Sequence, residues 1–119
     1  MYEVHTVLLS FKLTMQTIYL KKFGNVLVGR PNGQEAFNGI RPQLDPNLPV
    51  KIDFSDVLAV NPSWLDEFLT RLADFTQGKV ELLPTNNASV RIALPVIAKE
   101  RQDYIADIVN RAIKEMGLK

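Results

Sequence analysis

Ser63 stands in "KIDFSDVLAVNPSWLDEFL" (51–69), after an apolar strand-like run and a short loop, and just before an amphipathic run. A serine in that place can cap a helix, attack a substrate or receive a phosphate. Attack needs a base. The chain holds one histidine, His5, near its N-terminus, and no cysteine. A Ser-His-Asp triad would have to use His5, and thiolate nucleophiles, disulfides and Cys-based zinc sites are excluded outright. Nucleophile is therefore the weakest of the three readings, and an enzyme would need carboxylate, lysine or metal chemistry that no residue pattern here assembles.

Capping is the plainest reading. Pro62 suits the first helical position with Asn61 as N-cap, or Ser63 itself is the N-cap with Asp66 completing a box-like arrangement. Either way the Ser63 hydroxyl lies near unpaired backbone N–H groups and the positive end of a helix dipole, where a phosphate is tolerated. Asp53 and Ser55 suit side-chain-to-backbone bonds that shape the strand exit. Asp66 and Glu67 are adjacent, so they project in different directions and read as a solvated face rather than an acid/base pair. Trp64, Phe68 and Phe75 read as core or rim packing.

These residues need elements to position them. Val7, Leu9, Phe11 and Leu13 alternate with Thr6, Ser10, Lys12 and Thr14, as in a half-buried strand blurred by Leu8, and Met15 offers an alternative start that makes the preceding residues an extension. Two short strands follow at about 17–21 and 25–28, turning at Phe23, Gly24 and Asn25. Pro31, Asn32 and Gly33 read as a turn. Ala36, Phe37, Ile40 and Leu44 recur at helical spacing, in a helix that Pro42 should end or distort. "VKIDF" (50–54) suits a strand buried on both faces. Leu65, Phe68, Leu69, Leu72 and Phe75 form a helical stripe, with Asp66, Glu67, Thr70, Arg71 and Asp74 facing away. Glu67 and Arg71 are an i,i+4 ion pair in the favourable order. Gln77 and Gly78 break this helix, "KVELL" is the next strand, and 84–89 is a polar loop. The stretch 90–117 is helical by period, with Pro95 kinking it or dividing it in two.

Helices alternating with strands imply right-handed crossovers and a mostly parallel sheet, with the N-terminal strands as an antiparallel edge. Functional loops then gather beyond the carboxyl ends of the strands. Three loops qualify: 29–33, 55–62 and 85–89. They predict one polar rim holding Arg30, Asn32, Gly33, Asp53, Ser55, Asn61, Trp64, Asn86 and Asn87.

The totals agree with a protein of this kind. A chain of 119 residues fits one domain, and 46% hydrophobic with 23% charged residues is ordinary for a soluble globular protein. A formal charge of +1, with no dense basic stretch, argues against nucleic acid. No apolar run approaches a membrane span, and the first twenty residues lack the basic n-region and cleavage site of a signal peptide. A reducing cytoplasm is the expected location, with no membrane partner.

"DFSDVLAVNPSWLDEF" (53–68) resembles the signature of the STAS superfamily, the sulfate-transporter and anti-sigma factor antagonist domains. Their pattern is an apolar strand ending in Asp-Leu-Ser, an apolar residue two positions on, then Asp-Ser-Ser-Gly opening a helix. Val50, Ile52, Asp53, Phe54, Ser55, Val57 and Val60 match in register, and residues 61–64 stand at the Asp-Ser-Ser-Gly positions. The stretch is more similar still to a bacterial STAS-like branch of unknown function, which reads Asp-Phe-Ser and then Ser-Pro-Ser-aromatic-Ala-Asp-Glu-Phe. That branch also resembles "FGNVLVGRPNG" upstream and "VELLPTNNASVR" downstream, so the likeness spans roughly 17–101.

The resemblance implies an α/β, STAS-like fold: a central mixed sheet of four to five strands with parallel core strands, and three to four helices. Residues 1–16 lie outside the likeness and are expected to be an N-terminal extension strand, with 17–119 a single domain. It implies a non-enzymatic regulatory module, without cofactor or metal, that binds a protein partner such as a histidine-kinase-like ATPase. Ser63 matches the serine such a partner phosphorylates. Asn61 stands where the pattern has an acid, and Trp64 where it has a glycine. A small-ligand or nucleotide sensor using the same rim is the alternative. The N-terminal strand is expected to pair within the sheet or across a homodimer, because an unpaired strand is a sticky edge.

Overall fold

A computed structural model describes residues 16–118. The order is β1 (Gln16–Tyr19), a 3-10 turn (Leu20–Phe23), β2 (Val26–Leu27), α1 (Arg30–Ile40), a second 3-10 turn (Arg41–Gln43), β3 (Val50–Asp53), β4 (Ala59–Val60), α2 (Pro62–Thr76), β5 (Val80–Leu82), α3 (Ala88–Glu100) and α4 (Tyr104–Glu115). The coarse expectation of an α/β domain with alternating strands and helices is met.

Every pairing among the described strands is parallel. β1, β3 and β5 form one sheet in that order, with Gln16 opposite Val50 and Val50 opposite Val80. β2 and β4 form a separate pair, with Val26 opposite Ala59. Two expectations change here. β1 and β2 do not pair with each other around Gly24; each lies beside a later strand instead. The single mixed sheet is a three-stranded and a two-stranded ladder, because the 3-10 turn interrupts one strand line and the stretch 54–58 interrupts the next. Asp56 in that second break has φ 65°, which no ladder accommodates. The antiparallel edge expected of the N-terminal strands is not found at β1 or β2, which both pair in parallel; the strand expected at 7–13 lies outside the described residues.

β3 alternates rather than being buried on both faces. Val50 and Ile52 are buried, as is Phe54 just beyond the strand, while Lys51 and Asp53 are half-buried. Thr17 and Tyr19 of β1 repeat that alternation, so the helices cover one face of this sheet far better than the other.

α2 is the central helix. It packs against α1, α3, α4 and β5, and so buries more than one stripe. Trp64, Leu65, Phe68, Leu69, Leu72 and Ala73 are all buried. Trp64 stacks on Phe68 with ring centroids 4.9 Å apart and planes 15° apart. Phe23 lies against both rings. Phe75, expected in the stripe, is only half-buried and meets the Phe37 ring edge-on. The helix ends where predicted, with Gln77 in the left-handed conformation.

α1 starts earlier than predicted. Residues 31–33 are not a turn: Pro31 occupies the first helical turn, where its missing N–H costs nothing, and Gly29 makes the reversal with φ 88°. Gly33 faces α2. A methyl group on it would sit 2.6 Å from the Trp64 carbonyl oxygen, so this glycine sets how closely the two helices approach. Pro42 follows the end of α1, as expected. Pro95, in contrast, sits inside α3 rather than at a boundary. The break falls at Arg101, which is extended, and Asp103, whose carboxylate accepts from Ile105 N–H at 3.1 Å and starts α4. No helix among the described residues is long and apolar enough to cross a membrane.

Candidate functional site

The three loops converge, and two asparagines fasten them. Asn61 is the N-cap of α2: its Oδ1 accepts from Trp64 N–H at 3.0 Å. The same oxygen accepts from Gly29 N–H at 3.2 Å, which ties the entry of α1 to the entry of α2. Asn87 is the N-cap of α3, its Oδ1 accepting from Val90 N–H at 3.2 Å. Its Nδ2 reaches across to donate to the carbonyls of Val57 and Leu58 at 2.7 and 3.2 Å. Ser89 adds a second tie, with its hydroxyl accepting from Val60 N–H at 2.9 Å and donating to Asn87 Oδ1 at 2.5 Å. The helices α1, α2 and α3 therefore begin side by side.

Asn61, not Ser63, is the cap. Ser63 is the second residue of α2 and is half-buried. Among the described residues nothing hydrogen-bonds its hydroxyl.

The other predicted rim residues divide. Asn32 is exposed and donates to the Val28 carbonyl at 2.9 Å. Ser55 and Asn86 are exposed. Asp53 accepts from Ser55 N–H at 2.8 Å, and the hydroxyl and amide of Ser55 hold its carboxyl below the ordinary value. Ser55, Pro84, Thr85, Asn86 and Arg91 line a polar cleft of about 470 Å³ with Glu115 and Met116. Gly33 and Trp64 leave the rim. Gly33 is buried against α2, and the Trp64 residue is 1% exposed because its ring fills the space between Phe23 and Phe68. Of the two readings Trp64 carried, core packing is correct.

The sequence reading missed Asp66. It is 8% exposed, not part of a solvated face. Arg30, the first residue of α1, donates to its Oδ2 at 2.8 Å. Arg101, from the break between α3 and α4, donates to Oδ1 at 2.9 Å and Oδ2 at 3.2 Å. Arg101 also reaches Thr70 Oγ1 at 2.6 Å and Asp103 at 2.9 Å. Arg30 extends to Glu67 at 3.6 Å, and Glu67 holds Arg71 at 2.6 Å, the predicted i,i+4 pair. Burial pushes the Asp66 carboxyl up, but the hydrogen bonds from Arg101 and Arg30 outweigh it and hold the group below the ordinary carboxylate value. A charge so held makes a poor proton acceptor. No local pattern announces this cluster, because Arg101 lies 35 residues away in sequence.

Asp66 and Glu67 are three and four residues beyond Ser63, one turn along α2. A phosphate on Ser63 would therefore enter a face whose carboxylates already share Arg30. Among the described residues no group of three or more His, Cys, Asp or Glu side chains converges to hold a metal ion.

The chain was compared with protein-family models, curated proteins and solved structures. It matches none of them.

Proposed function

We propose that this chain is a non-enzymatic regulatory module of STAS-like type. It binds a partner protein through the rim at the starts of α1, α2 and α3, and phosphorylation of Ser63 switches the binding. The partner class is a histidine-kinase-like ATPase, as the motif resemblance of 53–68 implies. One observation carries the reading: the rim is braced by Asn61, Asn87 and Ser89, while the half-buried Ser63 hydroxyl beside it meets no hydrogen-bond partner among the described residues. A braced surface loses little entropy when it binds. A phosphate adds roughly −1.5 to −2 charges at pH 7, enough to reverse the electrostatics of such a face.

The test is incubation of the full chain with ATPases of the histidine-kinase fold from the same genome and ATP, followed by peptide mass spectrometry. Phosphate on the peptide holding Ser63, and none on Ser63→Ala, is the expected result. Phosphate elsewhere, or binding that ignores Ser63→Asp, removes the switch. Stability of Ser63→Ala should stay within about 0.5 kcal/mol of the parent, so lost binding cannot be blamed on unfolding.

A sensor of small polar ligands is the second reading, favoured by the cleft between Ser55, Thr85, Asn86 and Arg91. A nucleotide or small anion that raises the melting temperature of the parent but not of Arg91→Ala would support it.

A further inference from the structure

Two arginines meet the Asp66 carboxylate, and they are held unequally. Arg101 makes four side-chain hydrogen bonds: at 2.9 and 3.2 Å to the two oxygens of Asp66, at 2.6 Å to Thr70 and at 2.9 Å to Asp103. Arg30 makes one, at 2.8 Å to Asp66 Oδ2, and a looser ion pair at 3.6 Å with Glu67. The Arg30 side chain is 50% exposed and that of Arg101 26%. Of the two, Arg30 is the one that can leave. Its departure does not strand a buried charge, because both oxygens of Asp66 keep a bond to Arg101.

Arg30 also bridges the face of α2 that begins at Ser63. Positions three and four apart share one face of a helix, so Ser63, Asp66 and Glu67 form one row, and Arg30 already touches the last two. The first turn of α1 is fastened beside the first turn of α2. Gly29 N–H donates to Asn61 Oδ1, and a methyl group on Gly33 would sit 2.6 Å from the Trp64 carbonyl oxygen. A phosphate on Ser63 adds roughly −1.5 to −2 charges to a row that holds two carboxylates. A guanidinium drawn onto the phosphate relieves that repulsion, and its planar fork matches two phosphate oxygens at once.

We propose that Arg30 is the receptor for a phosphate on Ser63. Its guanidinium leaves Asp66 and closes bidentately on the phosphate oxygens, while Arg101 keeps Asp66 paired. Phosphorylation thereby takes a half-exposed arginine out of the surface offered to a partner. The inference rests on Ser63 as the phosphoacceptor proposed above, where the γ-phosphoryl group of ATP replaces the hydroxyl proton and ADP and a proton leave.

The test places the phosphate directly, as phosphoserine encoded at position 63 of the full chain, and so needs no kinase. With nitrogen-labelled arginine side chains, NMR should show a phosphorus coupling on the Arg30 guanidinium and none on Arg101. The charged groups around the row are Arg30 from α1, Asp66, Glu67 and Arg71 from α2, and Arg101 from the α3–α4 break. A phosphorus titration should find the second ionisation of the phosphate about one pH unit lower in the parent than in Arg30→Gln, because an opposite charge at contact distance favours the dianion. Arg30→Lys keeps the charge without the fork and should recover part of that shift. A coupling on Arg101, a coupling on no arginine, or equal ionisation in the parent and Arg30→Gln would overturn the proposal. If Arg30→Gln unfolds, the coupling in the parent still decides. Coupling to Arg30 in a chain that the ATPases leave unmodified counts against the switch alone, and phosphorylation without the coupling counts against this inference alone.

Discussion

One oxygen of Asn61 caps α2 and holds the backbone of Gly29, the residue before α1. Two helix starts thus depend on a single side chain. Asn61→Ala should cost about 1–2 kcal/mol, read by urea unfolding, since it removes a cap and a second bond. Asn61→Asp keeps both acceptor positions and places a negative charge at the helix start. It should be neutral or stabilising by up to about 1 kcal/mol at pH 7. A loss with Asp as large as with Ala would mean that the shared oxygen is not what holds the loops.

The carboxylate of Asp66 is clasped from two directions, by the start of α1 and by the α3–α4 break. Its folded pKa lies below the ordinary value, so the clasp contributes stability above the unfolded pKa and loses it as pH falls through the folded one. Melting curves of the parent should therefore drop below about pH 4. Asp66→Asn should be less stable at pH 7 by about 1.5–3 kcal/mol and should show a shallower acid decline. Equal acid slopes in the two proteins would show that Asp66 does not carry the effect.

Two glycines in α1 should respond with opposite signs to the same change. Gly33→Ala forces its methyl to within 2.6 Å of the Trp64 carbonyl and should destabilise by about 1–3 kcal/mol. Gly39 meets nothing within 4 Å, and Gly39→Ala should stabilise by about 0.5–1 kcal/mol through helix propensity alone. Chemical denaturation of the two variants side by side measures the difference. Similar effects would mean that α1 and α2 are not held at this distance.

Tyr104, the first residue of α4, hydrogen-bonds Asp74 near the end of α2. That bond, with burial, pushes its phenol up to about 12. The protonated form is the one favoured by folding. Its stabilising effect is therefore present below about pH 10, the ordinary tyrosine value, and is lost as pH rises toward the folded one. Ultraviolet titration should resolve one late-ionising tyrosine that disappears in Tyr104→Phe. Loss of the late step in Asp74→Asn, with Tyr104 intact, would confirm the partner.

The sequence by itself determined the alternation of strands and helices, the C-terminal ends of α1 and α2, and the gathering of three loops at one rim. Those follow from local causes: apolar period, the stops at Pro42 and at Gln77 and Gly78, and the one-way geometry of parallel crossovers. It also narrowed the capping question to Asn61 or Ser63, and the Asn61 hydrogen bond to Trp64 N–H answered it. Tertiary structure decided what depends on a neighbour from far along the chain. Trp64 became core because Phe23 and Phe68 close around it. Gly33 became a helix contact because α2 passes at backbone distance. Asp66 has the same sequence neighbourhood as an exposed acid, and only the arrival of Arg30 and Arg101 makes it a buried ion. A carboxylate leaves water only where such partners replace it, and no period of three or four residues records where they come from.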